Sequence, residues 1–240
     1  MPADPRPSGL QRRSAARTAV VWDALRRVLD AQERPAAVVD IGGGTGGFAV
    51  RVAELGHRVL VIDPSPDALA ILARRADECG VAPLVTGRQG DLDSLADLAG
   101  NDVVVCHGVL EIVDDPVAAL RSLATVLRSG GTLSLLVNQR HAAVVARAMA
   151  GHFQQARALL DPAGPTGRFT LEEVTGLLDG AGFDIATVQA VRVFVDLVPS
   201  SLVDLEPGSA QALVDLERAV ASRTEYLPLA TQLHVVATRR

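Results

Sequence analysis

Ala36-Ala37-Val38-Val39-Asp40-Ile41-Gly42-Gly43-Gly44-Thr45-Gly46-Gly47-Phe48 is the stretch that decides the fold. An apolar run, β-branched at Val38, Val39 and Ile41, carries a carboxylate at Asp40 and opens into five glycines within six residues. Apolar residues at helical spacing, Phe48, Val50, Val52 and Leu55, follow at once. This order predicts a buried parallel strand, a tight turn and a helix N-terminus. Glycine reaches positive φ without strain and lets a ligand approach the main chain with no Cβ in the way. The first turn of a helix adds N–H groups that have no intrahelical partner. The stretch is therefore expected to bind a ligand.

Working outward, the strand–helix alternation continues. A helix over Ser14–Ala31, with an apolar stripe of Val20, Val21, Leu25, Val28 and Leu29, precedes the first strand. Val59–Ile62 predicts a second strand ending in Asp63-Pro64-Ser65-Pro66, and a helix runs from Asp67 to about Glu78. Val81–Val85 predicts a third strand and Asp102–Cys106 a fourth, with His107-Gly108-Val109-Leu110-Glu111 at its end. Asp114-Asp115-Pro116 opens a helix to about Leu127, which Arg128-Ser129-Gly130-Gly131 is expected to end through a glycine cap. Thr132–Val137 predicts the fifth strand. Such alternation means an α/β fold with a doubly wound, Rossmann-like parallel sheet. Ligands in such sheets bind at the carboxyl ends of the strands, where strand order reverses.

The last hundred residues are less regular. A helical stretch is expected within Gln139–Leu160 and a loop over Asp161–Gly167. Thr170-Leu171-Glu172-Glu173 is a capping box opening a helix to Leu178. A strand-like segment, Phe183–Phe194, a helix over Pro207–Ser222 and a final strand at Leu233–Ala237 complete the chain. Residues 1–13 are read as a flexible leader and 14–240 as a single domain, with a ligand-binding core at 36–140 and substrate-side additions at 141–232.

Composition narrows the class. The chain is 48% hydrophobic with a mean hydropathy of +0.25, which marks a globular protein rather than a disordered one. No apolar run approaches the ~20 residues that span a bilayer. Met1–Pro7 lacks the apolar segment of a signal peptide, so a soluble cytoplasmic protein and no membrane partner are expected. Every positive residue is Arg, and the formal net charge of −5 does not favour general attraction to nucleic acid. Residues 1–30 carry six Arg against three Asp, a face read as solvated. Cys79 and Cys106 have no metal-ligand spacing, no metal is expected, and both are read as reduced, buried side chains.

Two ligand classes remain open on the residues alone. Gly42, Gly44 and Gly47 satisfy G-x-G-x-x-G, and Asp63 lies 19 residues beyond Gly44, where a dinucleotide fold places its ribose-binding acid. That supports a nicotinamide-dependent Rossmann oxidoreductase. Asp40 points the other way. It places a carboxylate where the pyrophosphate of a dinucleotide would sit, and suits a cationic ligand. Asp63 can accept hydrogen bonds from both hydroxyls of an adenosine ribose. Gly90-Asp91 can face an adenine ring, although Asp91 is equally suited to cap a helix. His107 stands where it can touch a cofactor or the reacting group.

Asp40-x-Gly42-x-Gly44-x-Gly46, Asp63, Asp91, His107–Glu111 and Leu127-Arg128-Ser129-Gly130-Gly131 resemble, in order and spacing, the class I S-adenosylmethionine-dependent methyltransferases. The resemblance implies a seven-stranded sheet whose last strand is antiparallel, a place that Leu233–Ala237 fits, with S-adenosyl-L-methionine as cofactor. A narrower similarity covers most of the chain. Cys106–Glu111, Asp115-Pro116, Asn138 through the Met149–Phe153 segment, Val191–Phe194, Tyr226 and Leu233–Val235 resemble the bacterial tRNA methyltransferases that esterify 5-carboxymethoxyuridine at the wobble position. In that family the cofactor is held by residues matching Arg17, the glycines Gly42, Gly43, Gly44 and Gly46, Asp63, the loop at Gly90-Asp91, and His107. A non-catalytic S-adenosylmethionine-binding module is a third reading of the same motifs.

The acceptor is less defined. In-line transfer from an activated sulfonium depends mostly on proximity and orientation. A carboxylate acceptor needs no general base, and Arg192 could hold it through its planar fork with Tyr226 lining the pocket, or could instead serve as a surface ion-pair partner. A hydroxyl or amine acceptor would make His107 the candidate base. The tRNA family carries a run of lysines in a loop that corresponds here to Ala156–Arg168, which holds two Arg and one Asp. A tRNA and a small-molecule acid or hydroxyl therefore both stay open. The strand-four end lacks the Asn/Asp-Pro-Pro-Tyr pattern of DNA amino methyltransferases, so DNA is discounted. Nothing in the sequence bears on oligomeric state.

Overall fold

The computed structural model describes residues 9–161, 167–205 and 208–240. Most of the expected leader, the middle of the Asp161–Gly167 loop and Pro207 lie outside these residues. The strands are β1 (Ala37–Ile41), β2 (Arg58–Asp63), β3 (Val85–Gln89), β4 (Asn101–His107), β5 (Leu127–Asn138), β6 (Phe183–Val191) and β7 (Gln232–Arg239). They form one sheet in the order β3-β2-β1-β4-β5-β7-β6. All neighbours are parallel except β7, which runs antiparallel to both β5 and β6. The seven-stranded architecture with an antiparallel last strand is as expected.

The helices are α1 (Gly9–Asp30), α2 (Ala49–Glu54), α3 (Pro66–Glu78), α4 (Pro116–Val126), α5 (Arg140–Met149), α6 (Phe153–Ala158), α7 (Leu171–Gly180), α8 (Ser200–Leu205) and α9 (Ser209–Val220). Strands β1 and β4 are buried on both faces, which explains their unbroken valine runs. Val38, Val103 and Val105 pack with Leu25, Leu29, Val50 and Leu72 on the α1–α3 side. Val39, Ile41, Val104 and Cys106 pack with Leu120, Leu123 and Leu178 on the α4–α7 side. Local chemistry sets the helix starts. Ser65 caps α3 ahead of Pro66, Asp115 accepts from the N–H groups of Val117 and Ala118, and Thr170 and Glu173 close the capping box of α7.

Several expectations are corrected. The third strand is Val85–Gln89, not Val81–Val85: Ala82–Leu84 is a 3-10 turn containing Pro83, which has no N–H to give a ladder. This strand lies at the sheet edge, paired on one side only, so it needs no apolar run. Helix α4 ends without a glycine cap, because Leu127 is already extended at φ −76° and ψ 148° and pairs with Asn101. Gly130, at φ +71°, turns the chain within β5 instead. The helical stretch after Gln139 is two helices, broken around Gly151 at φ +77°. The first helix begins at Gly9, five residues before the expected Ser14. Helix α8, six residues long, is too short for its period to be seen in the sequence. Cys79 is exposed at the end of α3, and Cys106 alone of the pair is buried.

The amino ends of the central strands are tied by Asp102. Its buried carboxylate accepts from the Ala37 N–H at 2.9 Å, from Arg34 at 3.0 Å and from Arg128 at 2.8 Å. That leaves the carboxyl ends, at the β1/β4 switch, as the place for a ligand.

Candidate functional site

The glycine loop is tightly specified. Gly42, Gly44 and Gly46 take φ of +69°, +55° and +78°. Gly42 N–H donates to the Ile62 carbonyl at 2.7 Å, and Gly46 N–H to Gly43 at 3.0 Å. A Cβ on Gly43 would sit 2.5 Å from Asp40 Oδ2 and 2.9 Å from Val61, and one on Gly42 would sit 2.5 Å from Val109. Only glycine lets the loop lie this close to the strand ends.

Beside the loop is a cavity of about 650 Å³ lined by Gly42, Asp63, Gly90, Asp91, His107 and Val109, among others. The volume falls in the ~300–1,000 Å³ range of small-molecule sites. Asp63, at the end of β2, is locked from both sides. Its Oδ2 accepts from Gly44 N–H and its Oδ1 from Ser65 N–H, both at 2.9 Å. Each oxygen keeps a lone pair for a ligand hydroxyl. Asp91 lines the cavity and caps the 3-10 turn Leu92–Ser94, its Oδ1 accepting from Asp93 N–H. A second cavity of about 620 Å³ lies between α4 and α7 and shares Val113 and Asp114 with the first. No expected site residue lines it.

Asp40 alternates with Val39 and Ile41 and so faces the α1–α2 side, beneath the glycine loop. It is 4% exposed, and no described residue donates a hydrogen bond to its carboxylate. Burial, reinforced by the charge of Asp63, raises its pKa to about 7. His107 ends β4 on the same face. Its ring meets Phe48 edge-on at 5.1 Å and His234 at 5.7 Å. His107 Nε2 is bonded to Ser134 Oγ at 2.9 Å, whereas Nδ1 is buried with no partner among the described residues. Burial first, and then His234, hold the His107 pKa well below the usual histidine range.

The remaining expected residues, Arg17, Arg192 and Tyr226, form a separate cluster, and none of them lines the cavity. Arg192 follows β6 in a left-handed conformation, φ +61°, a strained state for a side chain of its size. Its guanidinium meets Asp196 at 2.6 Å and Gln232 Oε1 at 3.4 Å. Arg17, on α1, lies on the same Asp196 carboxylate at 2.8 Å and does not line the cavity. Tyr226 stacks edge-on against Phe194 at 6.0 Å. A bonded path runs from this cluster to the segment after β4: Gln232 Nε2 donates to Asn138 Oδ1, and Asn138 N–H donates to Glu111 Oε1. One carboxylate thus serves two guanidiniums.

Four residues of this region escaped sequence reasoning: Ser134, His234, Gln189 and Glu217, each buried. The available signal was a polar residue inside a run that should be wholly apolar, as Ser134 is in Thr132–Val137 and His234 in Leu233–Ala237.

Comparison with known proteins places this geometry. The family model described as a methyltransferase domain matches residues 39–133. A tRNA 5-carboxymethoxyuridine methyltransferase of Escherichia coli is 31% identical over 93% of this chain and 88% of its own. A ubiquinone biosynthesis O-methyltransferase of Xanthomonas axonopodis is 36% identical over 52% of each chain. Among solved structures, magnesium protoporphyrin IX methyltransferase of Synechocystis, determined with bound SAH, superposes with a TM-score of 0.65 at 18% identity, covering 99% of this chain and 90% of that one. The [4+2]-cyclase SpnF superposes with a TM-score of 0.63 at 20% identity, covering 99% and 84%. At such identities the likeness is one of fold alone.

Proposed function

The chain belongs to the class I S-adenosylmethionine-dependent methyltransferases, and on that premise we propose that it methylates a carboxylate oxygen, that of 5-carboxymethoxyuridine in tRNA. The observation that carries this reading is the similarity to the tRNA enzyme along nearly the whole chain, substrate-side additions included. The site supports an acceptor that needs no base. His107 has a depressed pKa and its Nε2 is committed to Ser134, so it is poorly suited to take a proton from a hydroxyl or amine. An ionised carboxylate has no proton to lose.

The cavity suits the cofactor on three counts. The side-chain-free loop admits a ligand against the main chain, Asp63 has lone pairs left for ribose hydroxyls, and Asp40 is a buried carboxylate that suits a cation. When bound, S-adenosylmethionine supplies an activated methyl group on a sulfonium. In this assignment Asp63 holds the ribose and Gly90 and Asp91 border the adenine. Gly42, Gly43, Gly44 and Gly46 shape the cradle, and Asp40 and His107 flank the charged end. Arg17 and Arg192 supply the positive field in which an acceptor carboxylate is oriented, with Tyr226 and Phe194 as an aromatic wall.

The test is a nucleoside analysis. Deleting the gene should remove the methyl ester from tRNA wobble nucleosides, and the purified protein with S-adenosylmethionine should restore it. An unchanged nucleoside profile would sink the tRNA reading. Arg192→Ala should lower methylation about a hundredfold, as expected for losing a charge-assisted bidentate contact, while S-adenosylmethionine affinity stays within about twofold of wild type. Equal losses in both would place Arg192 at the cofactor instead.

Asp40 predicts a pH dependence. Its folded-state pKa of about 7 lies above the unfolded value of 3.8. Its contribution to stability is thus complete below pH 3.8 and is lost as pH rises through 7, by at most about 4 kcal/mol. A cationic ligand binds the ionised form, so wild-type affinity should fall about fivefold between pH 7 and pH 6 relative to Asp40→Asn. Calorimetric titration of both proteins checks this. The Asn variant should also melt higher than wild type at pH 8 without ligand. Parallel pH profiles would remove Asp40 from the site.

A further inference from the structure

A string of polar side chains crosses the sheet beneath the α1 side and ends at the cofactor site. Gln189 of β6 lies directly opposite His234 of β7, and His234 opposite Leu136 of β5. Ser134, two residues from Leu136 on the same face, lies diagonally between His234 and His107, since His107 also pairs with Leu136. The contacts are His234 Nδ1 to Gln189 Oε1 at 3.4 Å, Ser134 Oγ to His234 Nε2 at 2.8 Å, and Ser134 Oγ to His107 Nε2 at 2.9 Å. Ser134 and His234 are 0% exposed and Gln189 5%. An apolar set of equal volume would fill this space without desolvating any polar group.

The chemistry of these atoms gives the string one direction. Gln189 Oε1 can only accept, so His234 carries its proton on Nδ1. His234 is neutral at pH 7, because burial lowers its pKa to about 4, and its Nε2 is then a bare acceptor. Ser134 has a single proton and must spend it on His234 Nε2. Its oxygen is left to accept, and the group that donates to it is His107 Nε2–H. His107 neutral with its proton on Nε2 has a lone pair on Nδ1, the atom that has no partner among the described residues.

We propose that Gln189, His234 and Ser134 are positioning residues that lock His107 in its Nε2–H tautomer, presenting Nδ1 as a fixed hydrogen-bond acceptor to the methyl-donor site. The role follows the logic by which an outer partner on one ring nitrogen sets what the other can do. An acceptor at Nδ1 complements the charged end of S-adenosylmethionine, whose ammonium group can only donate. A ring free to flip its tautomer would offer an N–H there half the time. The functional consequence rests on the methyl-transfer reading, but the tautomer is a property of the ligand-free protein.

The test uses the full chain labelled with ¹⁵N-histidine. Ring-nitrogen NMR of the ligand-free protein, with the His107 signals identified by their loss in His107→Gln, should show the proton on Nε2 alone at neutral pH. Ser134→Ala should spread that proton over both nitrogens and weaken S-adenosylmethionine binding about tenfold, the scale of one lost hydrogen bond, and Ser134→Thr should restore both. His234→Leu should repeat the loss, and His234→Gln, whose amide oxygen can accept from Ser134, should rescue it. A wild-type proton on Nδ1, or a tautomer indifferent to Ser134→Ala, overturns the lock. A tautomer that moves while affinity does not overturns the positioning role. Failure of the wild type to bind S-adenosylmethionine would instead count against the cofactor site, with the NMR result standing.

Discussion

Asp63→Ala should weaken S-adenosylmethionine binding by about two to four orders of magnitude. Two hydrogen bonds to a charged group, at roughly 1.5–3 kcal/mol each, account for that range. The same carboxylate also fastens Gly44 N–H and Ser65 N–H, so its removal frees the third glycine of the loop and the cap of α3 together. Asp63→Asn separates the two roles. It keeps an oxygen for one backbone N–H and loses the charge, and should fall between wild type and Ala. Calorimetry with S-adenosylhomocysteine gives the affinities. Near wild-type binding by Asp63→Ala would remove Asp63 from the ribose site.

Glu217→Ala should be the most damaging single change to stability. Glu217, on α9, is 0% exposed, and its carboxylate accepts three successive backbone N–H groups: Val193 at 3.0 Å, Phe194 at 2.9 Å and Val195 at 2.8 Å. Residues 193–195 themselves lie outside any strand or helix. Truncation leaves buried N–H groups unpaired and should cost about 3–5 kcal/mol, a large part of the roughly 5–15 kcal/mol that holds such a domain together. Glu217→Gln retains one oxygen but turns an NH₂ toward a backbone donor, and should lose about half as much. Urea unfolding measures both. Since residues 193–195 follow Arg192 directly, either variant should also loosen the Arg192–Asp196 pair, read as lower methylation with cofactor affinity kept. A Glu217→Ala protein as stable as wild type would mean that the 193–195 segment finds other acceptors.

The cofactor half of the site was legible because its parts are local. The run Val38–Ile41, the glycines after it, and Asp63 at the end of the next strand are defined by neighbours and by one strand–helix repeat. Asp91 illustrates the limit of that legibility, since the same spacing suited a cap or a ligand contact and the structure uses it as a cap on the cavity rim. The third strand was misplaced because an edge strand carries little apolar signal. The acceptor side was read only through single residues. Arg192 is expected at the acceptor and Arg17 at the cofactor, but both lie on Asp196, 179 residues from Arg17.

By itself, then, the sequence determined the fold class, the glycine loop and the acid that ends the second strand. Side-chain period, β-branching and glycine placement act within a few residues of one another and need no distant partner. Tertiary structure alone decided that one carboxylate would serve two arginines, that Glu217 would hold three backbone donors, and that Ser134 and His234 would set the tautomer of His107. Those outcomes depend on which strands lie side by side and in what register. A shift of a single residue in β7 would turn His234 to the opposite face of the sheet and break the string.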